Sequence, residues 1–441
     1  MARRFANIAG FGALAALAVG MCMHYGSLGD YKFDAAPAFE ALALGRLHEF
    51  FTSDALMGPF ALLARVPFVL AANLGDASVL DRYRWGAIAC LLASALLALV
   101  IARTMRRAGQ PAYVCVFVAV LLVANPIVVK ALRFGHPEEV LGAALCTGAM
   151  LAAMTRRGIL AAILFALALT TKQWALVIVG PILLAVLVYR LPRWRFAAGL
   201  LVTCLAVAAP FFLSDPGRFL DAQNRAGSIP VTNWQPASPY SVWYPVTPAK
   251  DVRIRPVDGR SVIRVRPVPP FVAGIAKKLI VISALLLTIP LIVRRRRLSA
   301  TDPLLCLAFV LLLRCMLDPF DNAYYHLPFL YAFLAWESLT VRGVPVVSLF
   351  VSFAFVLQAR LAEMFVSIPD YTTHCIVYLA WSLPLVAFMA VHLYSPALGR
   401  RMQRRLARAL PNLSRKRRAL GSGRGSLERV TWPDPASSTA G

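Results

Sequence analysis

Four short stretches of this chain carry side chains that could move a proton or hold an anion. The first is Gly29-Asp30-Tyr31-Lys32-Phe33-Asp34, with Asp54 further on. A carboxylate held here could serve as general base toward a hydroxyl brought beside it. Asp34 precedes Ala35-Ala36-Pro37, so a plainer reading makes it a helix start. The second stretch is Arg133-Phe134-Gly135-His136-Pro137-Glu138-Glu139. His136, Glu138 and Glu139 could bind a polar substrate there. A proline at a first helical position and acids facing a helix N-terminus would equally need no further role.

The third is Lys172. About 15 residues, roughly 22 Å of helix, separate it from Arg157, short of a full membrane crossing. An ammonium at that depth needs an anion or water, and a lipid phosphate is one partner of the right charge; snorkelling to the surface is the plainer outcome. The fourth is Arg314-Cys315-Met316-Leu317-Asp318-Pro319-Phe320-Asp321, followed by Tyr324-Tyr325-His326. Arg314 and Asp318 are spaced to pair along one helix face. A guanidinium at a span end suits bidentate phosphate recognition, and a structural ion pair with interfacial tyrosines is the alternative.

The elements that must position these groups are membrane helices. The chain has 441 residues, 59% hydrophobic and 15% charged, with a mean hydropathy of +0.67. That excludes an ordinary soluble globule. The formal charge of +25 lies mostly in short clusters between apolar runs and in the C-terminal tail. This is how a membrane protein sets its orientation, so nucleic acid is not expected as a partner. The eight cysteines show neither metal-ligand spacing nor a disulfide framework. No nucleotide-binding or metal motif is found, and no metal or cofactor is expected.

The expected architecture is an all-α polytopic integral membrane protein of about twelve spans with both termini cytoplasmic, because that count puts the arginine clusters on one side. The segment 57–73 contains Pro59, Arg65 and Pro67 and is expected to be re-entrant or interfacial. Residues 1–394 form the membrane domain. Within it, 27–84 is the first outer loop and 214–272 a larger one, and 395–441 is a basic, partly disordered tail. In the first loop, Phe39, Leu42, Leu47, Phe50 and Phe51 can share one face of a surface helix while Glu40, Arg46, His48 and Glu49 stay wet. In the second, alternating runs around Asp258-Gly259 read as a small β-hairpin. Trp234, Trp243 and Tyr244 are candidate rings for stacking on a substrate. The basic run Arg400 to Arg418 suits anchoring at anionic lipid. Among the 21 acids, only Asp302, Glu428 and Asp434 fall on the cytoplasmic side and Glu337 within a span, so polar chemistry is expected outside.

In the order of these features, over roughly residues 7 to 341, the chain resembles GT-C-fold, polyprenyl-phosphate-sugar-dependent glycosyltransferases, most nearly the bacterial family 87, mannosyltransferase-like branch. The features are the acidic first loop with its surface helix, Gly135-His136-Pro137-Glu138-Glu139, Leu169-Thr170-Thr171-Lys172, and Arg314 with Asp318-Pro319 and Tyr324-Tyr325. The resemblance implies a catalytic aspartate in the first outer loop, Asp34 or, second, Asp30. It implies Lys172 and Arg314 on the donor phosphate, and His136, Glu138, Glu139, Asp318, Tyr324, Tyr325, His326 and Trp243 around the substrates. It also implies a polyprenyl-phosphate sugar as donor, a glycan or glycolipid acceptor, surrounding membrane lipid, and an extracytoplasmic site in a bacterial plasma membrane. A transporter or flippase of a lipid-linked glycan is the alternative, disfavoured by the absence of an evident repeat.

Overall fold

A computed structural model describes residues 2–227, 237–257, 260–365, 371–395 and 398. The chain opens with α1 (Ala2–Tyr25), then breaks at Gly26 into a loop carrying α2 (Tyr31–Asp34), α3 (Ala36–Ala43) and α4 (Leu47–Phe51). Two further short helices follow, α5 (Pro59–Leu63) and α6 (Val66–Asn73), each with a proline in its first turn. Proline lacks the N–H that a helix interior requires, so 57–73 forms two pieces and not one clean span.

The long helix α7 (Val79–Arg107) starts on a capping box between Ser78 and Asp81. Next come α8 (Ala112–Ala124) and α9 (Pro126–Phe134), joined at Asn125, whose side chain accepts from the amides of Ile127 and Val128. They lead into α10 (Pro137–Met154) and α11 (Gly158–Leu169). A 3-10 turn, Gln173–Ile178, precedes α12 (Val179–Val188), α13 (Arg193–Ser214) and α14 (Pro216–Gly227). Strands β1 (Lys250–Val257) and β2 (Arg260–Val265) pair antiparallel, with Val252 opposite Ile263. The chain continues through α15 (Pro270–Val293), α16 (Asp302–Leu317), a 3-10 turn at Ala323–His326, α17 (Leu327–Thr340), α18 (Val346–Phe365) and α19 (Thr372–Tyr394). Asp258-Gly259, Trp234, and the tail from Gly399 onward lie outside the described residues.

Among the described residues, six helical stretches are long and apolar enough to cross a membrane: Ile8–Tyr25, Val79–Arg107, Ala112–Phe134, Arg193–Ser214, Pro270–Val293 and Thr372–Tyr394. Shorter apolar helices accompany them, including Gly158–Leu169 and Gln173–Val188. The helices α10, α16 and α17 are buried along almost their whole length and form the centre. By contrast, α13 and α15 expose Leu201, Val202, Leu205, Ile282 and Leu286, as a helix against lipid would. Small residues in α10, from Gly142 to Ala153, let neighbouring helices approach closely, the main device available where lipid is as apolar as the side chains. The acid within a span, Glu337, is spent on structure: it accepts from the amides of Val347 and Ser348 at 3.0 and 2.8 Å.

The first loop departs from a single surface helix. Gly45, with φ of +71°, separates α3 from α4. Phe39, Leu42 and Phe50 are buried beside Phe211 as their spacing suggests, but Leu47 is 56% exposed. The break at Gly45 rotates Leu47 out of register with the apolar face of α3.

Candidate active site

The four stretches singled out above meet at one end of the bundle. The C-terminal ends of α1, α9, α11 and α16 and the N-terminal ends of α10 and α17 lie there, because successive helices run toward this end and away from it.

Two glycines bring the first pair of stretches together. Gly29 and Gly135 both have positive φ, +44° and +86°. A Cβ on Gly29 would lie 2.3 Å from the Phe134 carbonyl, and one on Gly135 would lie 2.5 Å from Leu28 O. Only glycine allows that approach. The Asp30 amide then donates to Phe134 O at 2.9 Å, and Tyr83 Oη to Leu132 O at 2.6 Å. A third glycine, Gly58, seats α5 against the Lys172 segment: its N–H donates to Thr171 O at 3.0 Å, and a Cβ there would meet Thr170 O at 2.1 Å.

A continuous polar chain results. His136 Nε2 lies 3.0 Å from Asp30 Oδ2 and its Nδ1 2.9 Å from Glu138 Oε1. Glu138 Oε2 accepts from Arg65 Nη2 at 2.5 Å. Lys172 Nζ stands 3.0 Å from Glu138 and 3.6 Å from Glu139. Trp174 Nε1 donates to Glu139 Oε2 at 3.0 Å; its indole fits over α10 because Gly142 leaves the space, a Cβ there being 3.0 Å from the ring. The Arg314 guanidinium caps the far end, 5.5 Å from the Trp174 ring centre and 5.1 Å from that of Tyr325, with Asp318 at 4.0 Å. Tyr324 stacks on the His136 ring at 4.8 Å.

Charge follows from these contacts. Burial works against protonation of His136, but hydrogen bonds to Asp30 and Glu138 outweigh it and push its pKa up to about 9. The imidazole is therefore a cation at neutral pH and not a free base. The same hydrogen bond holds the Asp30 carboxyl below its ordinary range. Asp34 differs: burial raises its pKa, against the pull of His136 and Lys172. Burial likewise opposes the charge on Lys172, but Glu138 and Glu139 more than restore it.

Asp34 does not start a helix. The N-cap of α3 is Ala35, without a side-chain cap, and Asp34 ends α2 half-buried. Among the described residues its carboxylate makes no hydrogen bond or ion pair. Glu138 and Glu139 are not solvated dipole partners but fully buried. Lys172 is met by these two protein carboxylates, which the expectation of a phosphate partner did not include.

Asp30, His136, Glu138, Glu139, Lys172, Arg314, Asp318, Tyr324 and Tyr325 are thus gathered, with Asp34 beside them. Four candidates are not. His326 is fully buried and faces Asp321 and Tyr378, since the 3-10 turn sends its ring to the opposite side from that of Tyr324. Trp243 is fastened below the cluster, its Nε1 donating to Leu317 O at 2.8 Å, because the 237–249 loop hydrogen-bonds along the end of α16. Tyr244 is buried under Arg266, and Asp54 pairs with Arg225 at 2.6 Å. Arg65 and Trp174 were not anticipated. An arginine inside an apolar segment was the available signal, since it must find a buried acid; Trp174 offered none.

No protein-family model matches this chain, and no curated protein matches it in sequence. Among solved structures, the crystal structure of ArnT from Cupriavidus metallidurans bound to undecaprenyl phosphate is similar at 16% identity and a TM-score of 0.46, over 87% of this chain and 77% of that one. Likeness at that level does not define which residues correspond.

Proposed function

We propose that this protein is a membrane glycosyltransferase that moves a sugar from a polyprenyl-phosphate donor to a lipid- or glycan-linked acceptor at the extracytoplasmic face. The observation that carries the reading is the gathering, at one end of an apolar bundle, of the half-buried Asp34 carboxylate, without a hydrogen bond or ion pair among the described residues, and four cations, His136, Arg65, Lys172 and Arg314. Glycosyl transfer needs that combination: a base for the incoming hydroxyl, and positive charge where a phosphate departs.

In the proposed step, Asp34 takes the proton of an acceptor hydroxyl, with Asp30 the second candidate. The oxygen attacks the anomeric carbon as the bond from that carbon to phosphate breaks, so configuration inverts. The electron pair leaves with the polyprenyl phosphate. A raised carboxylate pKa favours Asp34, because a base works best when its pKa approaches the working pH. Asp30 is already engaged with His136. Lys172 holds Glu138 at 3.0 Å and pairs more loosely with Glu139 at 3.6 Å, which leaves N–H donors for a phosphate oxygen. Arg314 has donors to spare beyond Tyr325 O and Cys315 Sγ. Tyr324 backs the His136 ring, and Tyr325, the less buried of the two tyrosines, is the ring placed to meet a sugar.

The test is transfer from a labelled polyprenyl-phosphate sugar into acceptors of membranes containing the protein. Full transfer by both Asp34→Asn and Asp30→Asn would remove the proposed base. Transfer that persists in detergent, where no sealed bilayer separates two sides, distinguishes an enzyme from a transporter.

A further inference from the structure

We propose that Cys315, Asp321 and His326 form a binding site for a divalent metal ion of the zinc class, adjoining the polar chain described above at Arg314. The site's failure and that of the glycosyltransferase reading are independent, since no step of the reaction drawn uses it.

Three segments build it. Cys315 lies in the last turn of α16, Asp321 in the following loop, and His326 ends the 3-10 turn before α17. One ligand atom from each lies within 4.8 Å of the other two. All three residues are buried, Asp321 to 3% and His326 to 0% exposure.

The carboxylate is the independent sign of a missing partner. Both Asp321 oxygens are buried without a hydrogen-bond partner. His326 Nδ1 lies 3.3 Å from Oδ2, while that same nitrogen is 3.3 Å from Asn322 O. A buried carboxylate whose near contact is a histidine at 3.3 Å is poorly compensated, so a cation or a proton belongs beside it.

Chemistry favours the metal. A thiolate, a carboxylate and an imidazole are ligands zinc accepts together. One thiolate and one carboxylate neutralise a dication, so the loaded site adds no net charge to an apolar interior. The thiolate is supported by Arg314, whose Nη1 lies 3.7 Å from Sγ. The carbonyls of Tyr325 and Asn322, each 3.3 Å from a ligand atom, leave oxygen donors near the remaining position.

An orienting partner for the imidazole is also in place. His326 Nε2 lies 2.8 Å from Tyr378 Oη. With metal on Nδ1, Nε2 carries the proton and donates to Tyr378, the arrangement in which a second residue fixes a ligating histidine. Tyr378 is therefore a positioning residue. Bound metal would tie the end of α16 to the turn that carries Tyr324 and Tyr325.

The experiment uses the full chain in detergent, stripped with a chelator and titrated with Co(II), then challenged with Zn(II). A single equivalent of Co(II) should bind with four-coordinate d–d bands and a thiolate charge-transfer band, and Zn(II) should displace it. Cys315→Ser should abolish the charge-transfer band, and Asp321→Asn should abolish tight binding. Tyr378→Phe should weaken binding roughly 10–100-fold with the band retained. Zn(II) should also raise the melting temperature of the stripped wild-type protein, a reading that needs no variant to fold. A wild-type chain that takes up no metal and gains no stability from Zn(II) overturns the site. Uptake that survives in both Cys315→Ser and Asp321→Asn overturns it as well, since the ion then lies elsewhere.

Discussion

His136 Nε2 stands 3.0 Å from Asp30 Oδ2 although 106 residues separate them in the chain. Glu138 holds the other ring nitrogen at 2.9 Å. With an acid at each edge, the imidazole is fixed as a cation and its ring plane is set, and Tyr324 stacks on the face this leaves. One histidine thus links the first loop, the start of α10 and the turn before α17.

The pair should be visible in the pH dependence of stability. His136 holds its proton to about 9, above its ordinary 6.5. Its contribution, a few kcal/mol, is whole below ~6.5 and is lost as pH rises through about 9. Asp30 is depressed, so its share is present above ~3.9 and disappears as pH falls through the lower folded value. Melting temperature measured across this range should fall toward both ends, and His136→Gln should flatten the alkaline side. An alkaline limb identical in His136→Gln and wild type would contradict the assignment.

Activity should separate the two aspartates. Asp34→Asn is expected to lower sugar transfer by roughly 10²–10⁴-fold, the usual worth of a positioned base. Asp30→Asn should cost less and move the alkaline limb of the rate profile to lower pH, because His136 loses one of the acids that keep it charged. The opposite ranking would make Asp30 the base.

Burial makes Arg65 and Glu138 unequal. Glu138→Leu strands a guanidinium that is 1% exposed and should cost about 3–5 kcal/mol. Arg65→Met should be milder, since Glu138 keeps Lys172 and His136. Chemical or thermal denaturation of both variants tests the order.

Glycine substitutions give a control on the loop geometry. Gly45 and Gly135 both have positive φ, but a Cβ on Gly45 meets nothing within 4 Å. Gly45→Ala should cost only the backbone penalty, about 1–2 kcal/mol. Gly135→Ala should cost several times that and reduce transfer, because the first loop must move away from His136. Equal melting temperatures for the two variants would mean that the close approach of Gly135 to Leu28 contributes nothing.

Composition and local pattern were enough to determine a helical membrane protein, the interrupted segment at 57–73, and the stretches that carry charge. These are local consequences: a helix must satisfy its own backbone in lipid, and proline or glycine breaks it wherever it stands. The folded chain alone decided which charges meet. Nothing near Lys172 in sequence announces that its ammonium sits between Glu138 and Glu139, and nothing near His326 announces that its ring turns toward Cys315 and Asp321 and away from Tyr324. Partner choice in a low-dielectric interior depends on which helix ends share a layer and where a glycine lets two backbones touch, and both are set by tertiary packing, which for Asp30 and His136 bridges 106 residues of chain.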